Sequence, residues 1–196
     1  MEGSSLKHRL RSEIRQRRKS IDPARRQAMD RAINRALLER VQAPASVTLA
    51  AFWPFDGEPD LKPALKQLGE LGARIALPVI MDDADSRRLT FRVWREADTL
   101  VQNSFGIEEP GGEDHLPVEQ LDFVFLPLVA WDASGNRLGM GAGYYDRALA
   151  PLARSDYPRR IGIAYELQKT ECLPTDPWDV RLHEMITESG WFTCQA

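Results

Sequence analysis

The run Phe123-Val124-Phe125-Leu126-Pro127-Leu128 is the feature that most restricts how this 196-residue chain can fold. It lacks the alternation of a half-buried strand, so both of its faces need cover, as in a central strand of a sheet flanked by helices. Residues 47–52 read as a second buried strand, 60–71 as a helix and 74–78 as the next strand, which together form a β-α-β unit. Residues 88–94 add a further strand. Residues 106–117, rich in Gly, Pro and acidic residues, read as an irregular loop. A glycine-rich stretch after the central strand leads into a helix through about Leu152, and a short strand follows at 161–164. The predicted fold is an α/β three-layer sandwich with a largely parallel central sheet. One domain of 1–196 is expected, with basic N-terminal helices 5–42 packed on an α/β body 45–196. In such sheets ligands bind beyond the carboxyl ends of the strands.

The N-terminal helices are predicted at 6–18 and 23–41. Leu6, Leu10 and Ile14 recur every fourth residue in the first. In the second, Asp22-Pro23 supplies an N-cap followed by proline at the first helical position, and Met29, Ile33, Leu37 and Leu38 form an apolar face. Residues 1–40 carry a net charge of +7 and the rest of the chain −10. A basic segment on an acidic body attracts nucleic acid, an anionic membrane surface or a polyanionic small ligand, and charge does not choose among them. The longest apolar run, 123–131, is far shorter than the roughly 20 residues of a membrane span. The N-terminus lacks the apolar core of a secretory signal, so a cytoplasmic location is expected. The two cysteines, Cys172 and Cys194, have neither C-x-x-C spacing nor His-rich surroundings, which argues against a disulfide framework or a zinc site.

The stretch Gly135-Asn136-Arg137-Leu138-Gly139-Met140-Gly141-Ala142-Gly143-Tyr144-Tyr145-Asp146 lies between the strongest strand and a helix. Glycines let backbone N–H groups approach phosphate oxygens, and a following helix presents its positive end to an anion. Arg137 adds a bidentate phosphate donor. The spacing fits neither the P-loop nor the dinucleotide fingerprint. On glycine spacing alone, a plain strand-to-helix turn explains the stretch equally well.

The pattern G-N-R-L-G-x-G-x-G-Y-Y-D resembles the signature of the 5-formyltetrahydrofolate cyclo-ligase family. Three more segments follow the family order: Lys7-x-x-Leu10-Arg11 with Arg15 and Arg18, Phe52 through Glu58-Pro59-Asp60, and Leu173-Pro174 through Asp179 to Ile186-Thr187-Glu188. The resemblance implies ATP-driven closure of 5-formyltetrahydrofolate to 5,10-methenyltetrahydrofolate with release of ADP and phosphate. It implies an ATP site formed by Lys7, His8, Arg9, Leu10 and Arg11 together with Arg137, Leu138, Gly139, Met140, Gly141, Ala142, Gly143, Tyr144 and Tyr145. Trp53, Glu58 and residues Met140 to Tyr144 then border the folate, and Arg137, Tyr144 and Asp146 carry the chemistry. Asp146 and Asp179 are the expected Mg2+ ligands, since magnesium takes one or two carboxylates beside phosphate oxygens. ATP and the folate are the expected partners, with no nucleic acid, no membrane and a monomeric state.

Lys7 and Arg11 stand four apart and share a helical face. The other basic residues, including Arg17, Arg18, Lys19, Arg25 and Arg26, read as solvated helix surface, and His8 and His115 have no evident metal partners. Ala142 replaces a common glycine or lysine, so a left-handed backbone there would be strained. Trp178 and His183 replace a common His and a common acid. Two other readings remain: a ligase acting on another pterin or formylated amine, and a non-catalytic anion- or RNA-binding module.

Overall fold

The structure is a computed structural model and describes residues 2–81 and 88–195. The chain begins with α1 (Glu2–Lys19) and α2 (Pro23–Arg40), then β1 (Thr48–Ala50), α3 (Lys62–Glu70), β2 (Arg74–Met81) and β3 (Arg88–Trp94). The hairpin β4 (Leu100–Gln102) and β5 (Glu108–Pro110) precedes β6 (His115–Leu116) and β7 (Phe123–Pro127). A second small hairpin, β8 (Ala130–Trp131) and β9 (Arg137–Leu138), leads to α4 (Tyr144–Leu149). Then come β10 (Arg159–Ile163), β11 (Glu184–Thr187) and β12 (Gly190–Thr193).

Eight strands form one sheet in the order β12-β11-β10-β7-β1-β2-β3-β6. β11, β10, β7, β1 and β2 run parallel, β12 and β3 run antiparallel to them at the edges, and β6 pairs antiparallel with β3. The run 123–128 sits near the middle of this sheet, as its two-sided apolarity demands. Phe125 faces a core shared with α2 and α3 through Ile33, Leu37, Leu65 and Leu68. Val124 and Leu126 face the other core, with Leu149 of α4, Trp131 and Met185. Alternate residues of one strand thereby anchor both layers of cover. The α/β sandwich with a mostly parallel sheet is borne out.

α2 begins where the sequence places it, with the Asp22 side chain accepting from Ala24 N (3.0 Å) and Arg25 N (3.1 Å). Several boundaries differ from expectation. Residues 106–117 are not wholly irregular, because they hold β5 and β6. Glu109, almost fully buried, accepts from Ile80 N (2.9 Å) and Asn103 Nδ2 (2.6 Å), which pins the β4–β5 hairpin onto β2. The predicted helix through Leu152 ends at Leu149 and continues only as a 3₁₀ turn, 150–152. The glycine-rich stretch contains β9 rather than forming a single loop. β11 and β12 were not expected; their patterns of charge and aromatic residues give no apolar run. No helix among the described residues is long and apolar enough to cross a membrane.

Candidate active site

Three segments beyond the carboxyl ends of the parallel strands meet α1. The first follows β1 and carries Trp53 and Glu58, the second is the glycine-rich turn after β9, and the third is residues 173–182 before β11. α1 reaches all three. Its apolar residues Leu10 and Ile14 pack on Val129, Ala130, Leu138 and Leu173, which orients its polar face.

That polar face delivers Lys7 and Arg11. Arg11 Nε donates to Gly139 O at 2.8 Å, and its guanidinium carbon would lie 3.4 Å from a Cβ placed on Gly141. Gly141 also has φ +108, so both the space and the backbone favour glycine there. Gly143, at φ +70, precedes α4. Ala142 is absent from the positive-φ residues, so the strain that its sequence suggests does not arise. α4 is only six residues long, and the anion-binding potential of this turn lies in its glycine backbone and arginines more than in a helix dipole.

Lys7 Nζ donates to Asp176 Oδ2 at 2.7 Å and to Asp179 Oδ2 at 3.3 Å. Arg137 Nη2 donates to Asp146 Oδ1 at 2.6 Å, and Val180 N donates to the same oxygen at 3.0 Å. Asp146 and the segment bearing Asp179 therefore share one corner. These hard oxygen donors fit Mg2+, which completes its shell with water and phosphate oxygens. Among the described residues no group of three or more His, Cys, Asp or Glu side chains could hold a metal, so the fit rests on this pair. The Arg137 side chain is 4% exposed, and its Nε has no hydrogen-bond partner among the described residues.

Glu58 is half-buried beside Arg18, Arg15 and Asp56, and its Oε2 accepts from Phe55 N at 3.1 Å. Burial pushes its carboxyl up to about 7, against the pull of the nearby arginines. Burial also raises the phenol of Tyr145, which feels both Glu58 and Arg137. This links the Glu58 side of the site to the Asp146 side. Trp53 is less free than its sequence position suggests: its indole N–H donates to Glu108 (2.6 Å), its ring meets Trp94 edge-on at 5.6 Å, and Lys62 lies over its face.

The remaining predicted residues divide by exposure. Met140 is 48% exposed at the rim. Tyr144 meets Phe105 edge-to-face at 6.3 Å, with Arg147 over its ring. Leu10 and Leu138 belong to the apolar cluster beneath α1 rather than to an open surface. His8 and Arg9 point to solvent. His183 accepts from Arg160 N at 3.0 Å away from the two aspartates, and burial beside Arg160 and Arg159 lowers it to about 4. Trp178 is 67% exposed.

Sequence reasoning missed Phe105, Asp56 and Asp176. Phe105 occupies the tip of the β4–β5 hairpin, where Asn103 Oδ1 accepts from Phe105 N (2.9 Å) and Ile107 N (3.1 Å), and Gly106 takes φ +76. Asn103 and Gly106 are turn-forming residue types, but nothing local names Tyr144 as the partner of Phe105. Arg18 and Arg26, expected on a solvated face, instead enter the interior: Arg18 is fully buried and Arg26 donates to Gly57 O at 2.7 Å.

The model of the 5-formyltetrahydrofolate cyclo-ligase family matches residues 3–188. The 5-formyltetrahydrofolate cyclo-ligase of Escherichia coli K12 is 36% identical over 90% of this chain and 97% of its own length. That of Mycolicibacterium smegmatis is 34% identical over 92% and 93% respectively. The solved structure of Aquifex aeolicus 5,10-methenyltetrahydrofolate synthetase superposes with a TM-score of 0.82 at 28% identity, over 97% of this chain and 94% of that one. The four motifs, the sheet and these whole-length likenesses agree: the chain belongs to the 5-formyltetrahydrofolate cyclo-ligase family.

Proposed function

We propose that this enzyme uses ATP to close 5-formyltetrahydrofolate to 5,10-methenyltetrahydrofolate, releasing ADP and phosphate. The observation that carries the residue assignment is the convergence of Arg11 and Arg137 on the glycine turn, with Lys7 and two aspartates alongside. Lys7, Arg11 and Arg137 bind the nucleotide phosphates, and the backbone of Gly139 to Gly143 lies against them. Asp146 and Asp179 hold Mg2+, which when bound offsets phosphate charge and orients the transferring group. The Nε of Arg137, without a partner among the described residues, is a buried donor costly in a purely structural role and useful toward an arriving anion.

The formyl oxygen is a poor leaving group until it becomes a phosphate. It therefore takes the γ-phosphoryl group, N10 attacks the activated carbon, and phosphate departs. The protein supplies position and charge rather than a nucleophile. Glu58, as a carboxylate, accepts from the N–H groups of the pterin. Tyr144, Phe105 and Met140 form the apolar wall that an aromatic substrate needs, and Tyr145 keeps its proton.

A coupled assay tests this reading. Purified protein with ATP, Mg2+ and 5-formyltetrahydrofolate should produce the near-ultraviolet methenyl chromophore with one ADP per product. ADP release without the chromophore would point to another pterin or formylated amine. RNA binding that weakens steeply with salt and survives Asp146→Asn, with no turnover, would sink the enzyme reading altogether.

A further inference from the structure

Asp56 has no part in nucleotide or metal binding, yet many groups converge on it. It is one of two non-glycine residues among those described with positive φ, at +52, and Gly57 follows at +77. Such a conformation persists where surrounding groups over-determine it. Here three cations from the last turns of α1 do so. The Asp56 side chain is only 7% exposed and receives Arg15 Nε at 2.7 Å, Lys19 Nζ at 2.6 Å and Arg18 Nη2 at 3.2 Å. Arg18 also donates to the Asp56 carbonyl at 2.9 Å, and Arg26 of α2 holds the next carbonyl. The turn closes on Glu58, whose backbone N–H donates to Phe55 O (3.0 Å) while its carboxylate accepts from Phe55 N.

We propose that Asp56 is the positioning residue for folate recognition: by gathering Arg15, Arg18 and Lys19 it fixes the 55–58 turn and sets where Glu58 meets the substrate. The proposal rests on the folate-ligase reading. It also gives α1 two jobs on one rigid rod, with Lys7 and Arg11 toward the nucleotide and Arg15, Arg18 and Lys19 toward the folate turn.

The charges around Glu58 make this separable from a mere structural role. Asp56 pushes the Glu58 carboxyl up, while Arg18 and Arg15 of α1 and the Phe55 N–H pull it down. From α4, Tyr145 interacts with it electrostatically and stays a protonated phenol, because burial raises it. Asp56 itself is held at about 2 by its cations, so it is ionised wherever the enzyme works. Asn tolerates positive φ, so Asp56→Asn removes the charge while sparing the backbone.

The test is steady-state kinetics from about pH 5.5 to 9, bracketing the Glu58 transition. Asp56→Asn should raise KM for 5-formyltetrahydrofolate about tenfold, in line with the loss of charge-assisted hydrogen bonds, with KM for ATP changed less than about twofold. Its acidic limb of kcat/KM for the folate should move to lower pH. Arg15→Gln, at a side chain 37% exposed, should move that limb to higher pH. Opposite displacements are the signature of action through Glu58. Limbs that stay in place, or move the same way in both variants, would overturn the proposal. If Asp56→Asn does not fold by circular dichroism, the upward displacement in Arg15→Gln decides alone. An inactive parent protein would overturn the folate reading and this proposal together, whereas an active parent with unmoved variants overturns only the latter.

Discussion

Each end of the sheet surrounds carboxylates with arginines, to different effect. At the amino ends of the parallel strands Glu184, 2% exposed, takes Arg40 in a two-pronged pair (2.6 and 2.8 Å) and Arg159 at 2.8 Å. Arg40 in turn lies over the rings of Phe123 and Trp191. The pairing outweighs burial, and the Glu184 carboxyl falls below its ordinary range. At the carboxyl ends, Asp56 takes the direct ion pairs and Glu58 is left beside them with its carboxyl raised to about 7. Charges that satisfy one another hold a fold together. Glu58, with no ion pair of its own among the described residues, keeps its carboxylate open to a substrate N–H, and the positive φ of Asp56, Gly57, Gly141 and Gly143 belongs to this end too.

Substitutions at the two ends should separate activity from stability. The largest effect is expected for Asp146→Asn, which should lower kcat by about a hundredfold or more, the scale of losing a transition-state electrostatic group, while the stranding of the nearly buried Arg137 also lowers the melting temperature. Thermal unfolding beside single-turnover kinetics checks both. Glu184→Gln should lower stability without touching turnover. It strands Arg40 and Arg159 and should cost about 3 kcal/mol of stability, read by denaturant titration, with both KM values unchanged. Because the Glu184 pKa is depressed in the folded state, its contribution is present above the unfolded pKa and fades as pH falls through the folded value. The variant and the parent should therefore converge in stability in acid.

Glu58→Gln should raise KM for the folate about tenfold, the loss expected for charged hydrogen bonds, and flatten the acidic limb near pH 7. Its stability effect has the opposite sign to that of Glu184. A raised carboxyl means the native state holds more protons than the unfolded one between the ordinary Glu value and about 7, so stability falls as pH rises through that window. Glu58→Gln should then melt higher than the parent at pH 8. The smallest effect is expected from Lys7→Ala, a rise of about fivefold in KM for ATP, because the side chain already shares its charge between Asp176 and Asp179. A nucleotide titration by calorimetry reads it directly.

Much of this is legible in the sequence alone. The unbroken run at 123–128 demanded a central strand because both its faces need cover. Asp22-Pro23 marked the start of α2 through local capping, and the glycines at 139, 141 and 143 announced a turn whose backbone N–H groups can approach an anion. These are short-range properties of the chain. The order of Lys7, Glu58, Gly139 and Asp179 along it identified the family.

Tertiary structure decided the rest, because it turns on groups far apart in sequence. Lys7 meets Asp176 across 169 positions, and Arg18 reaches Leu128 O across 110. Read locally, Arg15, Arg18 and Lys19 are a solvated helix face; only the placement of the 55–58 turn against α1 makes them the partners of Asp56. Phe105 meets Tyr144 through a hairpin anchored by Glu109, which no pattern around residue 105 reveals. The ionisation of Glu58 is likewise a sum over burial and neighbours from α1, α4 and its own turn. Periodicity and turn chemistry are encoded residue by residue, whereas desolvation and charge pairing exist only once the chain has closed on itself.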